Sequence, residues 1–122
     1  MFELELKEFR EVITEAIENL PEEFKSKLDN VDVVVEDYPP RAVMRKMPRG
    51  GLILGLYQGV PQKRRTSRYG LVLPDKISIY KKNIEAISAN REEIYNRIRK
   101  TLLHEIGHHF SLSDRDLRRM GW

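Results

Sequence analysis

Apolar residues recur at two different periods along this chain, and the periods sort it into elements. Phe9, Val12, Ile13, Ala16, Ile17 and Leu20 fall three and four apart, which lines one face of a helix. Pro21 stops that helix and suits the first turn of a shorter one, with Glu22 and Glu23 near its positive end and Phe24 and Leu28 turned inward. The run from Val31 to Glu36 is short and β-branched, so it predicts a strand, closed by Pro39-Pro40. Residues 41 to 49 scatter Arg, Met and Pro and predict a loop. Gly51 to Tyr57 predicts a second strand, with Gly55 as a bulge or a point of close approach. Leu71-Val72-Leu73 leads to a turn at Pro74-Asp75. Lys76 to Tyr80 then alternates, with Ile77 and Ile79 on one face and Ser78 and Tyr80 on the other. This third strand is a candidate edge, open to an added peptide. Asn83 is placed to cap a short helix carrying Ile84 and Ile87.

The next helix matters most. Asn90-Arg91-Glu92-Glu93 has the form of a capping box. Ile94, Tyr95, Ile98, Leu102, Leu103, Ile106 and Phe110 follow, a broader apolar face than a surface helix needs. Such a helix is central and packs on the strands. The pattern as a whole predicts an α+β fold, with a small mixed sheet of about three strands flanked by helices. At 122 residues, one domain spanning residues 1–122 is expected.

Composition narrows the function classes. No apolar run is long enough to span a bilayer, so no membrane role is expected. The opening Met1-Phe2-Glu3-Leu4-Glu5 lacks the basic and apolar parts of a secretory signal, and a cytoplasmic location is expected. Basic residues outnumber acidic by 22 to 19, a formal +3 that is too small to argue for nucleic acid. Lys63, Arg64, Arg65 and Arg68 form a basic loop, read first as solvated surface and second as an electropositive rim. Cysteine is absent, which excludes disulfides and thiolate chemistry and leaves His, Asp and Glu to hold any metal.

All three histidines lie in one short stretch, at His104, His108 and His109. Two His four apart on a helix project from one face and can share a metal. At about 100° per residue, His108 lies about 40° around from His104, while His109 lies about 140° away, with the apolar residues. Thr101, Lys100 and Arg97 stack on the turns before the pair. The pair therefore faces a cleft or solvent rather than the core. Glu105 can reach a water on such a metal and move its proton. A catalytic site needs a third protein ligand. The tail beyond His108 holds no Glu, which leaves Asp114 and Asp116. Asp114 can return only if the helix ends near Phe110. Ser111-Leu112-Ser113 can make that turn, and Ser113 can cap a last short helix with Asp116 three residues on.

The string His104-Glu105-x-x-His108 with Asp114 six residues on resembles the zincin metallopeptidases, with metzincin-like spacing and Asp in place of the third His. Ser111 stands where the metzincin pattern has Gly. More closely, the chain is similar to the small bacterial zincin-like metallopeptidase family. The likeness covers Leu54-Gly55-Leu56-Tyr57-Gln58-Gly59, Leu73-Pro74-Asp75-Lys76-Ile77 and His104 through Asp114. It implies a zincin-like α+β fold, Zn2+ held by His104, His108 and Asp114, and Glu105 as general base. It also implies hydrolysis of a peptide or protein substrate.

Two other readings stay open. One is a zinc-containing module that binds peptide without cleaving it. The other is a metal-dependent amidase acting on a non-peptide substrate. Tyr57, Tyr69 and Tyr80 are each candidates to donate to the transition-state oxyanion. His109 is expected as a hydrogen-bonded core or supporting residue, and Met120 as packing.

Overall fold

The structure is a computed structural model describing residues 1–45, 51–60, 73–110 and 114–119, with the side chains of Asp114, Asp116 and Leu117 excepted. The basic loop at Lys63 to Arg68, Tyr69, the Ser111–Ser113 turn and Met120 lie outside the described residues. The described elements are α1 (Leu6–Glu18), α2 (Glu22–Lys25), a 3-10 turn at Ser26–Leu28, β1 (Val31–Glu36), α3 (Arg41–Met44), β2 (Gly55–Gln58), β3 (Asp75–Tyr80), α4 (Lys81–Ala86), α5 (Arg91–His109) and α6 (Asp114–Arg119). This is a mixed α+β architecture, as the periodicities predict.

The sheet has strand order β1-β3-β2. β1 runs parallel to β3, with Val33 opposite Ile77 and Val35 opposite Ile79. β2 runs antiparallel to β3, with Tyr57 opposite Ile77 and Gly55 opposite Ile79. β3 is thus the central strand, and the expectation that Lys76 to Tyr80 forms an edge is corrected. The reason lies in burial: Ile77, Ser78, Ile79 and Tyr80 are all buried, so beyond the exposed Lys76 neither face of this strand meets water. Its alternation is polar on one side only in part, because the aromatic ring of Tyr80 supplies apolar bulk there. Among the described residues, the free edges belong to β1 and β2.

β2 is shorter than its apolar run. Leu54 still accepts the Tyr80 N–H through its carbonyl at 2.9 Å. One residue earlier the partner strand has already become α4, so residues 51–53 have no ladder to join. α4 begins at Lys81 directly after β3, and Asn83 sits inside it rather than at its cap. The Asn83 Nδ2 instead donates to the Ile53 carbonyl at 2.8 Å, tying the segment before β2 to α4. Residues 41–44 form a helical turn started by Pro40 where a loop was expected.

α1 and α5 cover the Ile77/Ile79 face of the sheet. Phe9, Val12 and Ala16 of α1 meet Ile94, Ile98, Leu102 and Ile106 of α5 in one core with Ile77 and Ile79, all fully buried. Burial of each of these side chains larger than Ala16 stabilises the fold by roughly 1.5–3 kcal/mol before chain entropy is counted. The expected cap is present, with Asn90 Oδ1 accepting from the Glu93 N–H at 2.9 Å. The Glu93 carboxylate reaches back to the Ala89 N–H at 3.0 Å, one residue beyond the usual capping-box partner. The N-terminus is tied down by Glu85, whose carboxylate is buried against Lys81 Nζ at 2.8 Å and also accepts the Leu4 N–H at 2.8 Å.

Gly55 sets how closely helix and sheet approach. A Cβ there would lie 2.7 Å from Thr101 Cγ2 and 2.9 Å from the Ser78 carbonyl oxygen. No real side chain sits at such distances, so only Gly lets α5 lie directly on β2. Close approach is what the sequence suggested for this residue.

Candidate metal centre

With Thr101 against Gly55, the next turn of α5 brings Glu105 to Tyr57. The Tyr57 N–H points out of the sheet and donates to Glu105 Oε1 at 2.9 Å. Glu105 makes no other hydrogen bond among the described residues, so Oε2 is left for a group from outside. The carboxylate is therefore aimed by backbone, which a side-chain change in β2 cannot simply delete.

His104 is half-buried and His108 exposed. Their rings sit edge to face with centres 5.9 Å apart. Two imidazoles that share one tetrahedral metal, each about 2.0–2.1 Å from it, have ring centres about 5 Å apart. The observed spacing differs from this by an amount that side-chain torsions absorb. The donor set also suits zinc, which takes imidazole nitrogen and carboxylate oxygen. Among the described residues, no three His, Cys, Asp or Glu side chains gather as a cage. Asp114 is the first residue of α6, and its side chain lies outside the description. α5 does end at His109, before Asp114.

A groove of about 480 Å3 runs beside this seam. On one side it is lined by Leu52, Ile53, Leu54, Gly55 and Leu56, and on the other by Arg97, Lys100, Thr101, His104 and Glu105. The polar stack read from the sequence is therefore one wall of a cleft.

His109 turns the other way, as the helical angle predicts, but it does not enter the core. Its side chain is 32% exposed and lies against the end of the sheet. Its ring stacks on Tyr57 with centres 3.9 Å apart and planes 18° apart. Phe110 meets both rings edge-on and is itself 40% exposed, so the apolar face of α5 ends one turn earlier than its sequence suggested. Beneath them lies Asp75, nearly buried. It accepts the Tyr57 hydroxyl at 2.7 Å and the Val60 N–H at 2.8 Å, and its carboxylate is 3.9 Å from His109 Nε2. Gly59 leaves room for His109, since a Cβ there would be 3.0 Å from the ring.

In the sequence Asp75 reads as a turn residue unconnected to Tyr57 or His109, whereas in the fold it is the first residue of β3. The available signal was an acid beginning an otherwise apolar strand, a position that burial makes costly unless partnered. Of the candidate oxyanion donors, Tyr57 has its hydroxyl on Asp75, and Tyr80 is buried within the sheet. The Tyr80 hydroxyl is pushed above the usual tyrosine range, first by burial and then by the charges of Glu36 and Glu105.

Comparison with known proteins agrees with this geometry at the level of the family. The model of the zincin-like metallopeptidases matches residues 28–122, and the chain belongs to that family. Among solved structures, a conserved hypothetical protein from Thermus thermophilus is similar at 26% identity. That alignment covers 87% of this chain and 94% of the other, with a TM-score of 0.56. No curated protein matches. No helix among the described residues is long and apolar enough to cross a membrane.

Proposed function

We propose that this chain is a zinc-dependent metallopeptidase with Glu105 as general base. The observation that carries the reading is the Tyr57 N–H to Glu105 bond, which fixes a carboxylate between the histidine pair and the free edge of β2. His104 and His108 would hold the metal, with Asp114 as third ligand, and the end of α5 at His109 suits that set. When bound, zinc polarises a carbonyl and makes water a usable nucleophile near neutral pH.

The chain's own groups supply the rest. Just before β2, the Leu54 carbonyl faces β3, so by strand alternation Gly55 presents its N–H and C=O outward, on the same side as the Tyr57 N–H. An extended peptide pairs with that free edge and is carried past Glu105. Glu105 Oε2 takes the proton from the attacking water. As the tetrahedral carbon collapses and the C–N bond breaks, the same oxygen hands that proton to the leaving amine. The substrate class is peptide or protein.

Metal analysis and a peptide-library digest test this. Wild type should bind one zinc, and His104→Ala should lose it. Glu105→Gln should keep the zinc while cleavage falls about 10²–10⁴-fold, the usual share of a general base. Zinc retained with no Glu105-dependent cleavage would leave a peptide-binding module instead.

A further inference from the structure

We infer that the groove selects acidic peptides, through Arg97 and Lys100, and this rests on the peptidase reading above. Both side chains line the groove wall that continues from His104 and Glu105. Neither has an ion pair or hydrogen bond among the described residues. Arg97 Nε is buried and makes no hydrogen bond among them. A guanidinium nitrogen taken from water without a partner is costly, and a carboxylate brought to the same guanidinium offsets that cost.

Among the described residues, no acid is positioned to fill that role. Glu93 shares a shallow hollow with Arg97 and Lys100, but it makes no ion pair with either, and its Oε1 accepts the Ala89 N–H. The one acid in the described lining of the groove is Glu105, held by Tyr57. The stretches 46–50, 61–72, 111–113 and 120–122 contain no Asp or Glu, and Asp114 and Asp116, whose side chains are not among those described, stand on α6 beyond the far end of α5. A carboxylate on the ligand completes the wall, and Arg presents a planar fork suited to it.

The opposite wall is apolar, from Leu52 to Leu56. The favoured ligand is therefore an extended segment with apolar residues and one acid. Its position follows from helix and strand geometry. Arg97 precedes His104 by seven residues, about 10 Å along the axis at about 1.5 Å per residue. An extended peptide covers that distance in about three residues at about 3.3 Å each. The acid thus lies about three residues from the cleaved bond. If the peptide runs antiparallel to β2, it lies on the carboxyl side, because α5 and β2 run the same way through the Thr101–Gly55 and Glu105–Tyr57 contacts.

The experiment pairs two measurements. Cleavage sites in a random peptide library are mapped by mass spectrometry for zinc-loaded wild type, Lys100→Glu and the double variant Arg97→Glu, Lys100→Glu. In parallel, fluorescent peptides that differ only by Glu or Lys at the third position are titrated onto zinc-loaded Glu105→Gln, with and without the two reversals. Wild type should show Asp and Glu enriched about three residues from the cut. The Glu peptide should bind at least tenfold more tightly than the Lys peptide, and the reversals should invert the order. Lys100 is exposed, so Lys100→Glu should stay folded and still shift the preference part of the way. Cleavage without acidic preference, or a preference that survives both reversals, overturns the inference and leaves the peptidase intact. Charge-selective binding without any cleavage upholds the groove's selectivity and overturns the peptidase. Neither cleavage nor selective binding overturns both.

Discussion

The two halves of α5 are built on different terms. From Asn90 to Leu103 the helix is held by the core. Its start is capped, and Ile94, Ile98, Leu102 and Leu103 are buried against α1 and the sheet. From His104 to Phe110 apolar burial narrows to Ile106, which still sits fully in the core. His108, His109 and Phe110 are exposed, and the last turns are held by polar and ring contacts with the ends of β2 and β3. One element thus divides its labour along its length. The first half fixes where the helix lies, and the second presents side chains whose contacts with the sheet are few and specific. Groups that are to meet water and substrate must stay reachable, so the half proposed to carry the chemistry is held less by burial than the first.

Breaking the first half should cost the most stability and change the site least. Ile98→Ala removes a fully buried side chain from the centre of the α1–α5 contact. A loss of about 2–5 kcal/mol is expected from urea denaturation, the usual range for such a truncation. Zinc affinity, measured well below the melting temperature, should stay within about threefold if the halves are independent. A large drop in affinity from a well-folded Ile98→Ala protein would show that the core also tunes the histidine pair.

The second half should respond in the opposite sense. Tyr57→Phe keeps the ring that stacks on His109 and deletes the hydroxyl that Asp75 accepts at 2.7 Å. Losing a hydrogen bond to a charged partner costs about 1.5–3 kcal/mol. The local readout is sharper than the global one. The Tyr57 amide is bonded to Glu105 rather than to a strand, so its hydrogen exchange reports this contact alone. Exchange there should quicken at least tenfold, while amides of Ile94 and Ile98 slow or quicken only with global stability. Equal acceleration at all three sites would mean that the two halves unfold as one unit.

The same division explains what the sequence reveals. β1 and the start of α5 are set by β-branching and a cap, so their bounds can be read directly, while the period of α1 gives its buried face but not its end at Glu18, short of Pro21. The His104–His108 spacing is likewise a property of one helix. The role of β3 is not local. Its centrality follows from two pairings, one parallel and one antiparallel, with strands far away in sequence. Asp75, Tyr57 and His109 come together from β3, β2 and α5, and nothing in any one segment announces the other two. Gly55 is the intermediate case. Its lack of a side chain signals close approach, but only the fold supplies Thr101 as the thing approached. Asp114 marks the limit on the other side, since its proposed place as a ligand depends on how the chain turns between α5 and α6.

The smallest expected effect comes from the far end of the helix and tests the division most cleanly. Asn90→Ala removes the Oδ1 that accepts the Glu93 N–H at 2.9 Å, leaving one more unpaired donor in the first turn. The cost should be about 1 kcal/mol, as for other N-cap deletions. Glu93 retains its bond to the Ala89 N–H, so the loss belongs at the low end of the range for a full capping box. His104 lies fourteen residues away, about four turns along a helix that the core clamps in between. Zinc affinity and the rate of peptide cleavage should therefore match wild type at a temperature where both proteins are folded. If fraying at Asn90 does lower either one, the helix transmits its end state through the packed middle, and the boundary at Leu103 is one of exposure only.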